Sequence, residues 1–258
     1  MDRNTSEANI FGYWISRRGK RGDITRTRQL IASGGKGSYM ACANPHSLVV
    51  ASGDPVFNAA LKNADILLPD GTGVVMASKI FNVPVMEKVA GYDFFLALSA
   101  SAEQSRGLRY FFLGSSEHVL DRIVSRLNLE YPSIAVCGIY SPPYKESFSE
   151  TDNITMVEAI NAANPDVLWV GMTAPKQEKW IYANRERLNV PFIGAIGAVF
   201  DFYAGTKVRS SVFWQKLGLE WLPRFMKEPK RLWERNIKST PIFISWVVKE
   251  KVRQLCKL

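Results

Sequence analysis

The chain has 258 residues, 47% of them hydrophobic and 22% charged, and carries a net charge of +9. It is long enough for one large domain, or a domain with an appendage, and too apolar for wholesale disorder. Three widely separated cysteines, Cys42, Cys137 and Cys256, argue for a reducing compartment and against a disulfide framework or a structural zinc site.

Residues 1–9 are polar and have no apolar h-region, so a secretory leader is not expected. From there, short apolar runs alternate with amphipathic stretches. A strand is predicted over 39–43, and another over 64–68 (ADILL), stopping at Pro69-Asp70-Gly71 before a helical pattern over 73–81. A third run, 110–113, stops at Gly114-Ser115-Ser116 and leads into a helix over 117–129. Residues 134–137 form another buried run, and the stretch 154–163 reads as helix. The run 166–170 (DVLWV) ends at Gly171 and a helix is predicted over 177–188; residues 191–196 close the series. Continuous apolar runs, each followed by a turn and then mostly by a helix, describe a mostly parallel sheet covered on both faces, a Rossmann-like three-layer sandwich. Neither an internal repeat nor a low-complexity linker interrupts it.

In such a sheet, ligands bind beyond the carboxyl ends of the strands. The residues just after each run are therefore the candidates: Asn44 and Pro45, Asp70 and Gly71, Gly114 to Ser116, Gly171 to Gln177, and Gly197 to Asp201. Small residues there let backbone N–H groups and helix N-termini approach a diphosphate. A single glycine at such a turn is more often plain turn geometry; several along one edge raise the odds. The best-defined stretch is 170–181 (VGMTAPKQEKWI), with Lys176, Gln177 and Glu178 opening a helix behind Pro175. By residue chemistry alone it reads equally as a binding loop or a well-capped helix.

The charge is uneven. Residues 207–258 hold 13 Lys or Arg against 4 Glu, a net of +9, while residues 1–206 balance at 20 basic and 20 acidic. Four of the seven tryptophans, Trp214, Trp221, Trp233 and Trp246, share this last fifth of the chain. Basic charge interleaved with aromatics suits an anionic membrane surface, and that reading is preferred to nucleic acid. A solvated basic face is the plain alternative. The longest apolar stretch near the end, 241–248, is far short of the roughly 20 residues a spanning helix needs. The final stretch puts Ile244, Val248, Val252 and Leu255 on one helical stripe with Lys249, Lys251 and Arg253 elsewhere, as an interfacial helix would; a helix docked on the core is the alternative.

Seven segments, in order, carry a resemblance: 43–47 (ANPHS), 67–75 (LLPDGTGVV), 90–93 (AGYD), 111–116 (FFLGSS), 165–181 (PDVLWVGMTAPKQEKWI), 194–205 (GAIGAVFDFYAG) and 217–235 (LGLEWLPRFMKEPKRLWER). Over roughly residues 40–236 the chain resembles the WecG/TagA/CpsF family of bacterial glycosyltransferases. The resemblance implies inverting transfer of a sugar from a UDP-sugar to an undecaprenyl-diphosphate-linked saccharide in cell-surface polymer synthesis. It makes Asp70 the general base and Asn44 its polar neighbour, which orients acceptor or donor sugar. It places Gln177 and Asp201 at the UDP site, and draws Lys88, Gly71, Asp93, Gly114, Gly171, Lys176 and Glu178 into the substrate-binding set. Arg224, Arg231 and Arg235, at spacings of 7 and 4, match the arginines of the family's C-terminal segment.

Two positions depart from the common pattern. Lys88 stands where many members carry Arg, keeping the charge but losing the bidentate fork, and Cys42 stands where many carry Thr. There is no Asp-x-Asp metal motif, so no metal or other cofactor is expected, and Lys88, backbone N–H groups and the C-terminal arginines are expected to neutralise the diphosphate. His46 reads as a local polar residue of its loop. The expected organisation is an α/β catalytic domain over 1–205 and a basic, Trp-rich helical appendage over 206–258. The expected location is cytoplasmic, peripheral on the inner face of the plasma membrane; a homo-oligomer is compatible with the sequence. The rivals are a nicotinamide-dependent oxidoreductase, which lacks a G-x-G-x-x-G after a first strand, and a non-catalytic basic binding module.

Overall fold

The computed structural model describes residues 3–105, 107–208 and 238–256. The six predicted apolar runs are strands β3 (Ser38–Ala43), β4 (Ile66–Pro69), β5 (Arg109–Gly114), β6 (Ala135–Tyr140), β7 (Val167–Gly171) and β8 (Phe192–Ala195). They form one sheet in the order β4-β3-β8-β7-β5-β6, every pairing parallel. A strand buried on both faces needs apolar residues on both, which is why these runs are continuous rather than alternating.

Side chains alternate between two cores. Met40, Leu68, Phe112, Trp169 and Phe192 face α2 (Gly19–Ala32), α6 (Gly91–Glu103), α7 (Glu117–Glu130) and α10 (Val199–Tyr203). Ala41 and Leu67 face α3 (Pro45–Gly53), α4 (Pro55–Lys62) and α5 (Thr72–Ile80), while Leu113, Val170 and Ile193 face α8 (Glu150–Ala163) and α9 (Lys176–Asn184). The result is the three-layer α/β sandwich expected from the sequence. Trp169 is its centre, fully buried and met edge-on by Phe94, Phe95 and Tyr110. Truncating such a residue to Ala costs about 3–5 kcal/mol.

Boundaries shift by a few residues where local chemistry overrides periodicity. Helix α8 starts at Glu150, not 154, because Ser149 and Asp152 form a reciprocal capping box. The helix predicted over 177–188 ends at Asn184 and continues as a 3-10 turn, Arg185–Arg187.

Residues before 38 carried no predicted element, yet they fold. After a short α1 (Arg3–Ser6), β1 (Glu7–Ile10) and β2 (Tyr13–Ser16) make an antiparallel hairpin whose turn, Phe11-Gly12, has positive φ at both residues. Only Gly12 is a usual turn residue, so the sequence signal is weak. Helix α2 is also hard to read. Of its apolar residues only Ile24 is buried, and its inward face is completed by Gly19, Asp23 and Thr27.

After residue 208 the next described element is α11 (Ser239–Leu255), which packs on α3 and α5. Phe243 and Val247 enter the same apolar cluster as Leu48, Val74 and the hairpin. The predicted stripe lies on the outer side, with Ile244, Val248, Val252 and Leu255 53–59% exposed. The helix docks on the core by one face, as the second reading had it, and leaves the predicted stripe exposed on another.

Candidate active site

Strand β3 delivers the chain to α3 on one face of the sheet, and its neighbour β8 delivers it to α10 on the other. Where adjacent strands diverge in this way, their carboxyl ends open a crevice. Asn44 follows β3, Asp70 and Gly71 follow β4, and Gly197 follows β8.

Asn44 caps α3. Its Oδ1 accepts from the Ser47 N–H at 3.0 Å and Ser47 Oγ accepts from the Asn44 N–H at 2.8 Å, with Pro45 in the first turn. This fixes the Asn44 side chain before any ligand arrives. The Asp70 N–H donates to the Ala43 carbonyl at 2.9 Å, which ties the Asp70 loop to the end of β3. Gly71 completes the junction: its φ is +140°, and a Cβ there would lie 3.4 Å from Asn44 Cβ. Asn44 and Asp70 are thereby adjacent, as the resemblance implied.

The Val89 N–H donates to the Pro69 carbonyl at 3.0 Å, holding the loop that carries Lys88 beside the Asp70 turn. Asp93 lies in the first turn of α6, which begins at Gly91. None of Asp70, Lys88 and Asp93 is without a partner. Beneath them, Cys42 Sγ would stand 3.5 Å from a Cβ on Gly91. Burial, and then the Asp70 and Glu178 carboxylates, push its thiol well above the ordinary range, so it remains an uncharged thiol between two acids.

Gln177 and Glu178 enter from the start of α9 and are 5% and 3% exposed. Gln177 Nε2 donates to Glu178 Oε1 at 2.8 Å, while Gln177 Oε1 and Glu178 Oε2 have no hydrogen-bond partner. Burial pushes the Glu178 carboxyl up to about 7. The Gln177 carboxamide lies against Gly197, within 3.2 Å of where a Cβ would be. Buried acceptors without donors are costly and uncommon. Both residues sit just past β7, at the carboxyl edge where such sheets bind ligands.

Other predicted residues are engaged differently. Asp201 Oδ2 accepts from Lys207 Nζ at 2.8 Å, and its Oδ1 is 3.3 Å from Thr206 Oγ1, so a ligand hydroxyl there competes with an existing ion pair. Lys176 Nζ donates to the Lys145 carbonyl and sits 3.8 Å from the Phe148 ring centre, on the loop before α8. Gly114 and Gly171 are explained by packing. A Cβ on Gly114 would fall 2.6 Å from the Gly171 carbonyl oxygen, and one on Gly171 would fall 2.3 Å from the Phe200 ring. Arg224, Arg231 and Arg235 lie outside the described residues. No group of three or more His, Cys, Asp or Glu suited to a metal ion occurs among the described residues. Two contacts escaped sequence reading: His46 Nδ1 lies 2.9 Å from Ser239 Oγ, and Phe243 lies behind Pro45 and Gly73. Each joins residues 170 positions or more apart, and no local pattern announces it.

A doubly covered parallel sheet thus gathers an acid, an amide and a buried Gln–Glu pair at the strand edge where such sheets bind ligands. The family model "Glycosyl transferase WecG/TagA/CpsF family" matches residues 8–257, and the chain belongs to that family and is a glycosyltransferase. Among curated relatives, an N-acetylglucosaminyldiphosphoundecaprenol N-acetyl-beta-D-mannosaminyltransferase of Bacillus spizizenii is 33% identical over 216 residues, 84% of this chain and 80% of that protein. Proteins of the same name from Bacillus subtilis (strain 168) and Staphylococcus aureus (strain MW2) are 32% and 27% identical, each over 83% of this chain and 80% of their own length.

Proposed function

We propose that this glycosyltransferase moves an N-acetylhexosamine or related sugar from a UDP donor to an undecaprenyl-diphosphate-linked saccharide, inverting the anomeric centre. The observation that carries the reading is the agreement between the relatives' activity and the Asn44–Asp70 junction at the crevice. In this mechanism the Asp70 carboxylate takes the proton of the acceptor hydroxyl as that oxygen attacks the anomeric carbon. The sugar–phosphate bond breaks on the opposite face and UDP leaves with the electron pair. Asn44, held by its cap, orients the sugar, and the free acceptors of Gln177 and Glu178 receive donors from the nucleotide or sugar. Lys88, backbone N–H groups and the C-terminal arginines meet the charge on the departing diphosphate without a divalent ion.

The same reading sets the protein on the cytoplasmic face of the membrane as a peripheral enzyme. No helix among the described residues is long and apolar enough to cross a membrane. The outer stripe of α11, with Lys249, Lys251 and Arg253 around it, offers apolar area and positive charge to anionic lipid. The test is a panel of UDP-sugars assayed against a GlcNAc-diphospho-lipid, with UDP release and glycolipid product both measured. Transfer from one or a few donors is expected; UDP release without glycolipid product from every donor overturns the reading. Binding to vesicles rich in anionic lipid should weaken as salt rises, because surface attraction is screened within about 8 Å at physiological ionic strength.

A further inference from the structure

Helix α11 reaches the back of both loops that carry the proposed chemistry. Its first residue, Ser239, is 4% exposed, and its Oγ lies 2.9 Å from His46 Nδ1, two positions past Asn44 in the first turn of α3. One turn along α11, Phe243 closes on Gly73, three positions past Asp70 in the first turn of α5. A Cβ on Gly73 would fall 2.6 Å from Pro45 Cγ and 3.7 Å from Phe243 Cε1. Gly73 is thus met closely by Pro45, which leaves no room for a methyl group, and at van der Waals distance by Phe243. Ser239, Phe243 and Val247 recur every fourth residue, so one face of α11 makes all of these contacts.

From the front, the two loops are joined by the Asp70 N–H bond to Ala43 and by Gly71 against Asn44. From behind, α11 braces the same pair. We propose that α11 is a positioning element of the active site, in which Ser239 acting through His46, and Phe243 acting through Pro45 and Gly73, set the placement of Asn44 relative to Asp70. The inference rests on Asp70 being the base. Its physical ground is the steepness of catalysis with geometry: a misplacement of about 1 Å between reacting groups can cost on the order of 10²-fold in rate. These contacts touch neither substrate nor reacting atoms, so their loss acts on turnover through the loops they hold.

The experiment uses the full-length chain and a water-soluble acceptor analogue, so that capture at a membrane does not enter the rate. Ser239→Ala is expected to lower kcat about three- to tenfold, the effect of losing one positioning hydrogen bond, with UDP affinity, donor KM and vesicle binding unchanged. Ser239→Thr, which keeps the hydroxyl, should restore turnover. Gly73→Ala is the second probe. Helix propensity alone favours Ala, but here the methyl must displace Pro45, and kcat should fall tenfold or more. Wild-type kcat in Ser239→Ala overturns the proposal whatever Gly73→Ala does, because the Gly73 methyl strikes Pro45 rather than α11. So does a loss of kcat that matches a loss of folded protein or of UDP affinity, since that marks a merely structural contact. Asp70→Asn in the same assay keeps the two ideas apart. If it turns over normally, the base assignment has failed; if it is inactive while Ser239→Ala matches wild type, only the role of α11 has failed.

Discussion

Along the carboxyl edge of the sheet, the junction of Asn44, Asp70, Gln177 and Glu178 and the junction of Gly114 with Gly171 both follow buried strands and both contain small turn residues. At the first, loops from β3 and β4 meet a helix start that brings two buried acceptors with no donor. At the second, each glycine is accounted for by what a Cβ would strike, the Gly171 carbonyl or the Phe200 ring. Glycine after a strand thus signals close approach in both places, but polar groups left unsatisfied distinguish the proposed binding junction from the one where the chain is simply tightly packed.

The largest expected effect is at the first junction. Asp70→Asn should reduce kcat about 10²–10⁴-fold, the usual range for general-base catalysis, while UDP titration stays close to wild type. Near-normal turnover would remove the chemical half of the comparison.

Glu178 gives the next largest effect, visible without substrate. Its folded carboxyl holds a proton up to about 7, whereas the ordinary value is 4.5, so the folded state binds more protons than the unfolded state between these limits. Stability of the ligand-free protein should therefore fall as pH rises through that window, by up to about 3 kcal/mol. Glu178→Gln should flatten this slope and be the more stable form at pH 8, as read from urea midpoints at pH 5 and 8. An unchanged slope would mean that Glu178 is solvated or paired, and that the first junction is less demanding than its geometry indicates.

At the second junction the expected loss is one of stability. Gly171→Ala drives a methyl into Phe200 and should cost about 1–3 kcal/mol, with kcat per folded molecule little changed. A kcat loss without destabilisation would turn that packing junction into a substrate contact. The smallest effect should come from metal removal: excess EDTA is expected to leave transfer unchanged. Loss on chelation, restored by magnesium or manganese, would show that Lys88 and the arginines do not suffice for the diphosphate.

How much was legible follows from which interactions are local. The runs 110–113 and 166–170 were readable as strands because burial on both faces demands unbroken apolar residues. Asp70 and Asn44 were readable as neighbours at the candidate edge because a parallel sheet delivers its strand ends to one side. The hairpin over residues 7–16 and helix α2 were not: Phe11-Gly12 is an unusual turn, and the inward face of α2 includes Asp23, whose partners Ser16 and Arg18 lie on or just after β2.

By itself the sequence determined the sheet, its covered faces, the strand-end acids and the concentration of positive charge after residue 206, since each depends on residue type and on periods of two or 3.6 along the chain. Tertiary structure alone decided that Asp201 is paired with Lys207, that Lys176 serves a neighbouring loop, and that Gln177 and Glu178 keep acceptors without donors. It alone decided that α11 closes on the backs of the Asn44 and Asp70 loops. The reason is distance along the chain. A contact such as His46 with Ser239 spans 193 positions, and only the packed fold specifies which polar group meets which.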